Sequence, residues 1–361
     1  MFLAIRDLRY NKARYSLITV MLTLLIFMVL FLAGLANGLS SATSASIKNA
    51  AADYYILSDD ADSIITRSNI TVDQFNEVSE KAKVELTPVN LMRMNIKKSD
   101  DDKKIDITYM AIDKNSFMMP EILEGEDTSE DVNTILLNNS FIDEGVSIGD
   151  TIVDATSGIE LKVVGFVEDE MFSHSPIGII SRETFEGIRK EIDKNYQTLY
   201  NAIAVNGEDV DNLKVDGLTV VSKNDIIKNI PGYSQEQMSI NMILLVLLVV
   251  SAFILGVFFY IITIQKLMEF GVMKALGMQM RSLCSMLISQ VIILSGISMV
   301  IGNVLTFSIS RLLPSSMPFL LERSSSAIIS IMFILISIII SLVSLVKIAK
   351  VDPLITIGGR E

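Results

Sequence analysis

Residues 237–265 read QMSINMILLVLLVVSAFILGVFFYIITIQ and contain no Asp, Glu, Lys or Arg. Three further stretches of the chain are also free of charge, at 15–47, 282–310 and 324–346. A helix needs about 20 apolar residues to cross the hydrocarbon core of a bilayer, and each stretch is longer than that. The sequence therefore predicts four transmembrane helices, which we place at 16–38, 239–263, 285–309 and 326–347.

The composition excludes several classes of protein. Half of the 361 residues are hydrophobic, yet Asp and Glu outnumber Lys and Arg by 42 to 30. This combination argues against one soluble domain, and against a nucleic-acid partner, because such a partner requires a basic face. The single cysteine, Cys284, excludes a disulfide framework, and the single histidine, His174, excludes a multi-histidine zinc site. We therefore expect no metal site of the chain's own.

The first apolar stretch has a second interpretation, a secretory signal peptide with the small residues of 36–38 as its cleavage site. The apolar run is longer than the roughly 7–15 residues of a signal-peptide core, and the charged lead-in is also long. Residues 1–15 instead favour a cytoplasmic amphipathic helix that lies on the inner membrane surface before a true span.

The distribution of Lys and Arg predicts the orientation in the membrane. Residues 1–15 carry four basic residues and one acidic residue, and the loop 264–283 and the tail after residue 346 are also net basic. With four spans these segments fall on one side, which the positive-inside rule assigns to the cytoplasm. The segment 39–236, with 37 acidic and 18 basic residues, then lies outside, as does the loop 310–323. We expect a multi-pass plasma-membrane protein with cytoplasmic termini, including the tail 348–361.

The outer segment has the pattern of one α+β domain. Apolar or alternating runs predict strands at 51–58, 84–94, 105–113, 134–138, 151–154, 159–167, 177–181, 199–206 and 218–221. Thr71 and Gln74 have the spacing of a capping box, and Ser181 and Ser222 are expected to begin two further helices. The aspartates of 99–104 indicate a solvated turn. The alternative is a calcium loop, but the ligand alternation and closing Glu of such a loop are missing.

The predicted fold class is therefore an integral membrane protein with four transmembrane α-helices and one α+β extracellular domain between helices 1 and 2. The most specific motif lies in the cytoplasmic coupling loop 264–283. Residues 263–279 read TIQKLMEFGVMKALGMQ and contain the pattern E-x-G-x-x-K-A-L-G, formed by Glu269, Gly271, Lys274, Ala275, Leu276 and Gly277. This segment resembles the coupling segment of MacB/FtsX-type (type VII) ABC transporter permeases. The alternative is an ordinary basic loop.

The chemistry of the loop suits docking to another protein. A short helix with Phe270, Met273 and Leu276 exposed can insert into a groove of a partner, and Lys274 can meet an acidic rim. Gly277 can end this helix in a left-handed conformation. We therefore expect Glu269, Phe270, Gly271, Lys274, Leu276 and Gly277 to couple the chain to a partner.

The resemblance extends to most of the chain. The lead-in 4–14 and the segment 146–168 are similar to parts of this family, whereas Asp352-Pro353 is followed by Ile357 where its D-P-x-x-x-L motif has Leu. The resemblance implies a homodimer of permeases in the membrane lipid, docked on a cytoplasmic dimer of ABC ATPase subunits. The chain contains no G-x-x-x-x-G-K-[ST] loop, so we expect ATP and Mg²⁺ on the partner ATPase and no catalytic residues in the chain itself.

Three segments, 171–176 (MFSHSP), 231–237 (PGYSQEQ) and 258–266 (FFYIITIQK), are most similar to the haem-efflux members of this family in Gram-positive bacteria. This resemblance implies haem as the cargo and no cofactor of the chain's own. The alternatives are export of another amphiphile, such as a peptide, an antibiotic or a lipid, and an FtsX-like protein that transmits ATPase strokes to an outer partner.

The candidate haem-binding residues are Tyr233, Glu236, Met238, Met242 and His174. The first four precede or begin the second span, and His174 is the only imidazole. Haem iron accepts phenolate, thioether or imidazole ligands. The alternative interpretation is structural: Tyr233 and Glu236 anchor a helix at the membrane interface, the methionines pack, and His174 is a surface residue.

Overall fold

The computed structural model describes residues 2–98, 103–126, 132–210, 213, 215–314 and 317–349. For residues 2–5, 267, 270, 274, 275, 280 and 344–349 it describes the backbone alone. The chain divides into two compact units. A helical unit comprises Met1–Gly38, Ser239–Pro314 and Phe319–Glu361, and a sheet-rich unit comprises Leu39–Met238 and Ser315–Pro318.

The described part of the chain contains ten α-helices. They are α1 (Phe2–Tyr10), α2 (Lys12–Asn49), α3 (Val72–Lys81), α4 (Ser140–Asp143), α5 (Arg182–Ile192), α6 (Lys223–Asn229), α7 (Tyr233–Gln265), α8 (Leu267–Ala275), α9 (Met280–Ser310) and α10 (Arg323–Ala349). Four helical stretches in this part are long and apolar enough to cross a membrane: Lys12–Asn49, Tyr233–Gln265, Arg281–Ser310 and Arg323–Val343. The four spans placed from the sequence lie within α2, α7, α9 and α10.

The helical unit packs around a core shared by these four helices. Ile26 and Leu30 of α2 are completely buried, and they lie in one cluster with Phe259 of α7, Leu294 of α9 and Phe333 of α10. The close approach of α9 to α2 requires a small residue, because a Cβ at Gly302 would lie 2.9 Å from the Cγ2 atom of Ile26. Apolar side chains elsewhere on these helices are exposed, as expected for surfaces that face lipid.

The sheet-rich unit is built from short strands. They are β1 (Tyr54–Ser58), β2 (Ile70–Thr71), β3 (Glu85–Lys98), β4 (Ile105–Ala111), β5 (Ile122–Gly125), β6 (Thr134–Asn138), β7 (Thr151–Asp154), β8 (Glu160–Val167), β9 (Met171–Phe172), β10 (Ser175–Ile180), β11 (Leu199–Tyr200), β12 (Ala202–Asn206) and β13 (Leu218–Ser222). One large sheet has the order β13-β1-β12-β3-β4-β10-β6-β8-β5, with β7 beside β3 and β8, and β9 beside β10. The strands β11 and β2 form a separate pair.

The long strand β3 joins the two halves of this sheet. Its first part pairs with β12 and its second part pairs with β4 and β7. Val89 and Leu91 lie in a core that also includes Tyr55 and Ile179, whereas Ile96 lies in a second core against α5. The fold class predicted from the sequence is confirmed: four apolar helices, with one α+β domain between the first and the second.

The helix caps predicted from the sequence are present. Thr71 Oγ1 accepts a hydrogen bond from the Gln74 backbone N–H at 3.2 Å, and Gln74 Oε1 accepts one from the Thr71 N–H at 3.0 Å. Ser181 and Ser222 each accept a hydrogen bond from a backbone N–H in the first turn of α5 and α6. These side chains satisfy N–H groups that have no partner inside their helices.

Some strand boundaries differ from the predictions, because backbone pairing continues beyond the residues that show the hydrophobic pattern. β3 continues to Lys98 rather than ending at residue 94, because Ile96 pairs with Ile105 on one side and with Asp154 on the other. The strand predicted at 199–206 is divided at Asn201 into β11 and β12. The short strands β2, β5 and β9 were not predicted. The polar run 99–104 was predicted to be a solvated turn, with a calcium loop as the alternative. Its residues 99–102 lie outside the described residues.

Candidate functional site

His174 lies at the tip of a tight hairpin in the sheet-rich unit. Ser175 of β10 pairs with Phe172 of β9, so Ser173 and His174 alone form the loop. Both have positive φ angles, 49° and 61°, which is the type I′ geometry that two-residue hairpins favour. Neither residue is Gly or Asn, so this turn holds backbone strain. Strain of this kind persists only where the surrounding contacts impose the conformation.

Contacts with α2 hold the hairpin tip in place. The Ser173 N–H donates to the Thr43 carbonyl oxygen at 2.8 Å, and the His174 N–H donates to the Ala42 carbonyl oxygen at 3.0 Å. Both acceptors belong to the last part of α2, within the sheet-rich unit. The strained turn therefore fixes the position of the imidazole against this helix.

The imidazole of His174 contacts a carboxylate and a hydroxyl group. His174 Nε2 lies 2.9 Å from Glu236 Oε1 and 3.2 Å from Thr43 Oγ1, and Thr43 Oγ1 lies 3.3 Å from Glu236 Oε2. The side chain of His174 is 43% exposed and that of Glu236 is 30% exposed. The cluster is therefore partly exposed, so that a ligand can reach it.

Tyr233 extends this cluster by one helical turn. Its hydroxyl group lies 3.1 Å from Ser40 Oγ, so Tyr233 and Glu236 of α7 each contact a hydroxyl side chain of α2. Gly232, with φ of 89°, precedes α7, and its carbonyl oxygen accepts a hydrogen bond from the Glu236 N–H at 3.0 Å. The carboxylate thus lies in the first turn of α7, where the helix dipole favours negative charge.

The two methionines do not join this contact network. Met238 is 74% exposed and Met242 is 62% exposed, one turn apart on the same face of α7. The structure therefore brings together three of the five candidate residues, Tyr233, Glu236 and His174, and leaves the methionines exposed on an apolar helix.

A buried carboxylate lies at the base of the same hairpin. Glu170 is 5% exposed, and its Oε1 accepts a hydrogen bond from Asn49 Nδ2, the last residue of α2, at 3.2 Å. Burial raises the pKa of the Glu170 carboxyl, the hydrogen bond from Asn49 lowers it by less, and the charge of Asp169 raises it further. The hairpin that carries His174 is thus attached to α2 at its tip and at its base.

Ser40, Thr43 and Asn49 were missed by the sequence reasoning. They lie at the end of the first apolar stretch and in the polar residues that follow it, which indicated only the end of a span. A usable signal was the spacing of Ser40 and Thr43, which matches that of Tyr233 and Glu236 and puts each pair on one helix face. Sequence alone does not reveal that the two pairs face each other.

The coupling segment forms a separate candidate site in the helical unit. Residues Leu267–Ala275 form α8, and Gly277 has φ of 90°, a conformation that suits glycine at the end of a helix. Met268, Val272 and Leu276 are 68%, 54% and 82% exposed, and their spacing of four residues puts them on one face. Glu269 is also exposed, whereas Gly271 is buried. The side chains of Phe270 and Lys274, two predicted coupling residues, lie outside the described residues.

A buried charged network lies immediately before α8. Lys266 is 1% exposed and forms an ion pair with Asp7 of α1. Asp7 Oδ2 also accepts hydrogen bonds from Tyr15 Oη at 2.8 Å and from Gln290 Nε2 at 2.7 Å. Gln290 Oε1 lies 3.3 Å from Lys266 Nζ, which completes the network. It joins α1, α2, α9 and the residue between α7 and α8. Sequence reasoning counted Asp7 in the amphipathic lead-in 1–15 and Lys266 in the loop 264–283, and it did not predict that they pair.

Comparisons with known proteins agree with this architecture. Residues 241–353 match the family model described as FtsX-like permease C-terminal. A protein of Staphylococcus haemolyticus named as hemin transport system permease protein HrtB is 27% identical over 362 residues, covering 100% of both chains. The HrtB protein of one Staphylococcus epidermidis strain is also 27% identical, over 99% of each chain. An uncharacterised ABC transporter permease of Mycobacterium tuberculosis is 21% identical over 99% of each chain.

Two solved structures resemble part of the chain. The periplasmic region of MacB from Actinobacillus actinomycetemcomitans has a TM-score of 0.36 at 14% identity, over 50% of this chain and 92% of that one. The extracellular domain of the ABC-type transporter YknZ from Gram-positive bacteria has a TM-score of 0.34 at 11% identity, over 47% and 99%.

Residues 241–353 therefore form an FtsX-like permease domain, which follows the α+β domain between the first two of four apolar helices, and the whole chain is similar to ABC transporter permeases. Permeases of this class work with a cytoplasmic ATPase. Within the class the chain is similar over its full length to the HrtB permeases, as its segments 171–176, 231–237 and 258–266 predicted.

Proposed function

We propose that this permease takes haem from the membrane and exports it, and that the cluster of His174, Glu236 and Tyr233 holds the haem in transit. The contact of 2.9 Å between His174 Nε2 and Glu236 Oε1 is the observation that carries the proposal. It joins a strained turn to the helix that continues as the second span, and it assembles the chain's only imidazole with a carboxylate. The names of the full-length relatives support the choice of cargo.

The residues of the cluster have the chemistry that binding of haem requires. A carboxylate that accepts the N–H of one imidazole nitrogen orients the ring and raises the basicity of the other nitrogen. With Nε2–H donated to Glu236, His174 Nδ1 keeps the lone pair. The phenol of Tyr233 is a second iron ligand type, and the hydroxyl group of Ser40 can bind a propionate.

The cluster suits iron that already has most of its ligands. In the described part of the chain no group of three or more His, Cys, Asp and Glu side chains could hold a metal ion. Iron in a porphyrin has four nitrogen ligands and needs only one or two from the protein. Few protein ligands also favour release, which an exporter requires.

The remaining parts of the proposal concern energy and assembly. ATP and Mg²⁺ bind to a separate dimer of cytoplasmic ATPase subunits, which dock on α8, and two copies of the permease form the membrane part. Haem, an amphiphile, enters sideways from the lipid, where the exposed Met238 and Met242 of α7 contact its apolar ring. The excess of Lys and Arg in 1–15 and 264–283 supports cytoplasmic termini. The Staphylococcus relatives support the plasma membrane of a Gram-positive bacterium.

Haem tolerance of living cells tests the cargo. We would express the wild type, His174→Ala, Glu236→Gln and Tyr233→Phe with the partner ATPase in a strain without its own haem exporter. Gln235→Ala, next to Glu236 and exposed, is the matched control. We expect the His174 and Glu236 variants to lose haem tolerance while the control keeps it. Full tolerance in the double variant His174→Ala/Glu236→Gln would contradict the site and favour another amphiphile or a mechanotransmitting role.

Labelling of intact cells tests the orientation. Single cysteines replace the exposed residues Asn195 and Gln279 in a Cys284→Ser background. An impermeant maleimide is expected to label the cysteine at 195 and to leave the cysteine at 279 unlabelled until the cells are lysed. The reverse pattern would overturn the proposed topology.

A further inference from the structure

A cavity of about 480 Å³ lies in the sheet-rich unit, where β3 passes from one half of the sheet to the other. Its lining includes Leu91 and Met92 of β3, Phe185 and Arg189 of α5, and Tyr196. Polar residues contribute to the lining as well, among them Asn69, Asn90, Thr108 and Asn201. The volume of the cavity falls within the roughly 300–1,000 Å³ that is typical of small-molecule sites. The proposed haem cluster is not part of this lining.

Two amide side chains hold the walls of the cavity in place. Asn90, which is 5% exposed, donates from Nδ2 to the Leu199 carbonyl oxygen at 2.7 Å. Asn201 Oδ1 accepts from the Leu91 N–H at 3.0 Å, and its Nδ2 donates to the Ser68 carbonyl oxygen at 3.0 Å. These bonds attach β3 to the segments around it. The cavity is therefore formed before a ligand arrives, which lowers the entropic cost of binding.

Arg189 is a charged group that remains available in this cavity. Its Cζ atom lies 4.7 Å from the centroid of the Tyr196 ring, and its Nη1 donates to Met92 Sδ at 3.7 Å. Among the described residues its guanidinium forms no ion pair with a carboxylate. A guanidinium has five N–H donors, and a thioether is a weak acceptor, so most of its donors are unused. The stacked ring and the sulfur hold the group in one orientation.

The charge of the cavity is opposite to that of the segment around it. Residues 39–236 carry 37 acidic and 18 basic residues. The described lining residues of the cavity nevertheless include two arginines, Arg93 and Arg189, and no Asp or Glu. Arg93 pairs with Asp106 at 2.8 Å, so Arg189 supplies the unneutralised charge. We propose that this cavity binds an anionic amphiphile, with a carboxylate of the ligand on Arg189 and its apolar body against Phe185, Leu91 and Tyr196.

The cavity and the proposed haem cluster both involve residues of one hairpin. Phe172 and Ser173 line the cavity, and the next residue, His174, contacts Glu236. A ligand with carboxylates can therefore be held beside the transit cluster by groups that do not touch iron. The choice of a porphyrin as probe rests on the proposed function, whereas the chemistry of the cavity does not.

Binding of metal-free protoporphyrin IX to the full-length chain in detergent tests this inference. The probe has two carboxylates and no iron, so it cannot bind through iron ligands. The chain has no Trp, so Tyr196→Trp introduces a single fluorophore that keeps an aromatic face under Arg189. We expect saturable quenching of this fluorophore. The dimethyl ester of the probe, which has no charge, is expected to bind about tenfold more weakly or worse.

Two variants of α5 separate the cavity from general charge effects. Arg189→Gln is expected to weaken binding of the acid by about tenfold or more, to the level of the ester. Lys190→Gln removes the same charge from the next residue, which does not line the cavity, and is expected to bind like its parent. Equal binding of the acid by Arg189→Gln and Lys190→Gln, or equal binding of acid and ester by the parent, would overturn the proposal.

Further variants keep the test decisive. If Arg189→Gln does not fold, Arg189→Lys retains the charge, and it must still bind the acid more tightly than the ester. His174→Ala/Glu236→Gln is expected to leave binding of the metal-free probe unchanged. Loss of that binding would put the probe at the haem cluster and contradict a separate cavity site. If the proposed function is wrong, that double variant is expected to keep the haem tolerance of the wild type.

Discussion

The imidazole Nε2 of His174 lies 2.9 Å from the Oε1 atom of Glu236, and the two residues reach each other from structures of different kinds. His174 belongs to a two-residue turn with positive φ, and Glu236 belongs to the first turn of a 33-residue helix. A strained turn is retained where it positions a side chain. This contact therefore links the geometry of the sheet-rich unit to the start of the helix that continues as the second span.

Relief of the turn strain is expected to stabilise the protein. Ser173 has φ of 49°, a region that costs a non-glycine residue roughly 1–2 kcal/mol. Ser173→Gly keeps the backbone N–H that donates to Thr43, so it should raise the free energy of unfolding by up to about 1 kcal/mol. Thermal unfolding in detergent measures the change. Ser222→Gly, at a helix cap with φ of −68°, is the control and should not stabilise. A lower melting temperature for Ser173→Gly would show that its hydroxyl group is needed.

Removal of one partner from the buried network before α8 is expected to destabilise the helical unit. Asp7→Asn leaves Lys266, which is 1% exposed, without a counter-charge. The loss of an ionic partner from a buried pair typically costs about 3–5 kcal/mol. The double variant Asp7→Asn/Lys266→Met replaces the charge with an apolar chain and should recover most of the loss. The fraction that remains monodisperse after heating provides the measurement. No recovery in the double variant would contradict the ion-pair explanation.

Stability is expected to fall with rising pH through titration of Glu170. Burial raises the pKa of Glu170 in the folded state above its unfolded value, so the folded protein binds the proton more tightly. The free-energy cost of burying the ionised carboxylate is absent at a pH below the pKa of the unfolded state. This cost grows as the pH rises and levels off once the pH exceeds the pKa of the folded state. Glu170→Gln keeps an oxygen for Asn49 and removes the charge, so it should be more stable than wild type at neutral pH and less sensitive to pH. Melting curves at several pH values, with the exposed Glu168→Gln as control, measure this. An unchanged pH dependence in Glu170→Gln would show that another group titrates.

The exposed face of α8 is expected to carry the contact with the ATPase. Leu276 is 82% exposed, and a charge there would be buried without a partner in a docked complex. Leu276→Asp should reduce co-purification of the ATPase at least tenfold, a loss of about 1.4 kcal/mol or more. Leu312→Asp places the same charge on an 83% exposed leucine in the loop after α9 and should leave co-purification intact. Unchanged recovery with Leu276→Asp would remove α8 as the docking element.

The four spans and most of the outer domain could be predicted from the sequence because their signals are local. Charge-free stretches such as 237–265 indicate spans by length alone, and Thr71 with Gln74 satisfies a cap within four residues. The strand β5, Ile122–Gly125, lies among acidic residues and gains its structure from pairing with β8, which no local pattern reports. Tertiary pairing therefore accounts for the elements that were missed.

The candidate site was only partly predictable for a similar reason. Tyr233 and Glu236 were recognisable from their place at the start of a span, and His174 from its uniqueness. Thr43 lies 131 residues from His174, and only the fold brings them to 3.2 Å. The turn at Ser173 and His174 lacks the Asn-Gly or Asp-Gly pair that usually signals a two-residue hairpin, so the sequence marked the segment 171–176 without predicting the turn that positions the imidazole.

Titration of the purified permease with ferric haem tests the proposed transit site most directly. The absorption spectrum reports the iron ligands, and wild type is expected to show a saturable shift of the Soret band. In His174→Ala/Glu236→Gln we expect the shift to be lost or the affinity to fall by about tenfold or more, with Gln235→Ala unchanged. Haem binding by the double variant with the wild-type spectrum and affinity would contradict the assignment of His174 and Glu236 to the cargo.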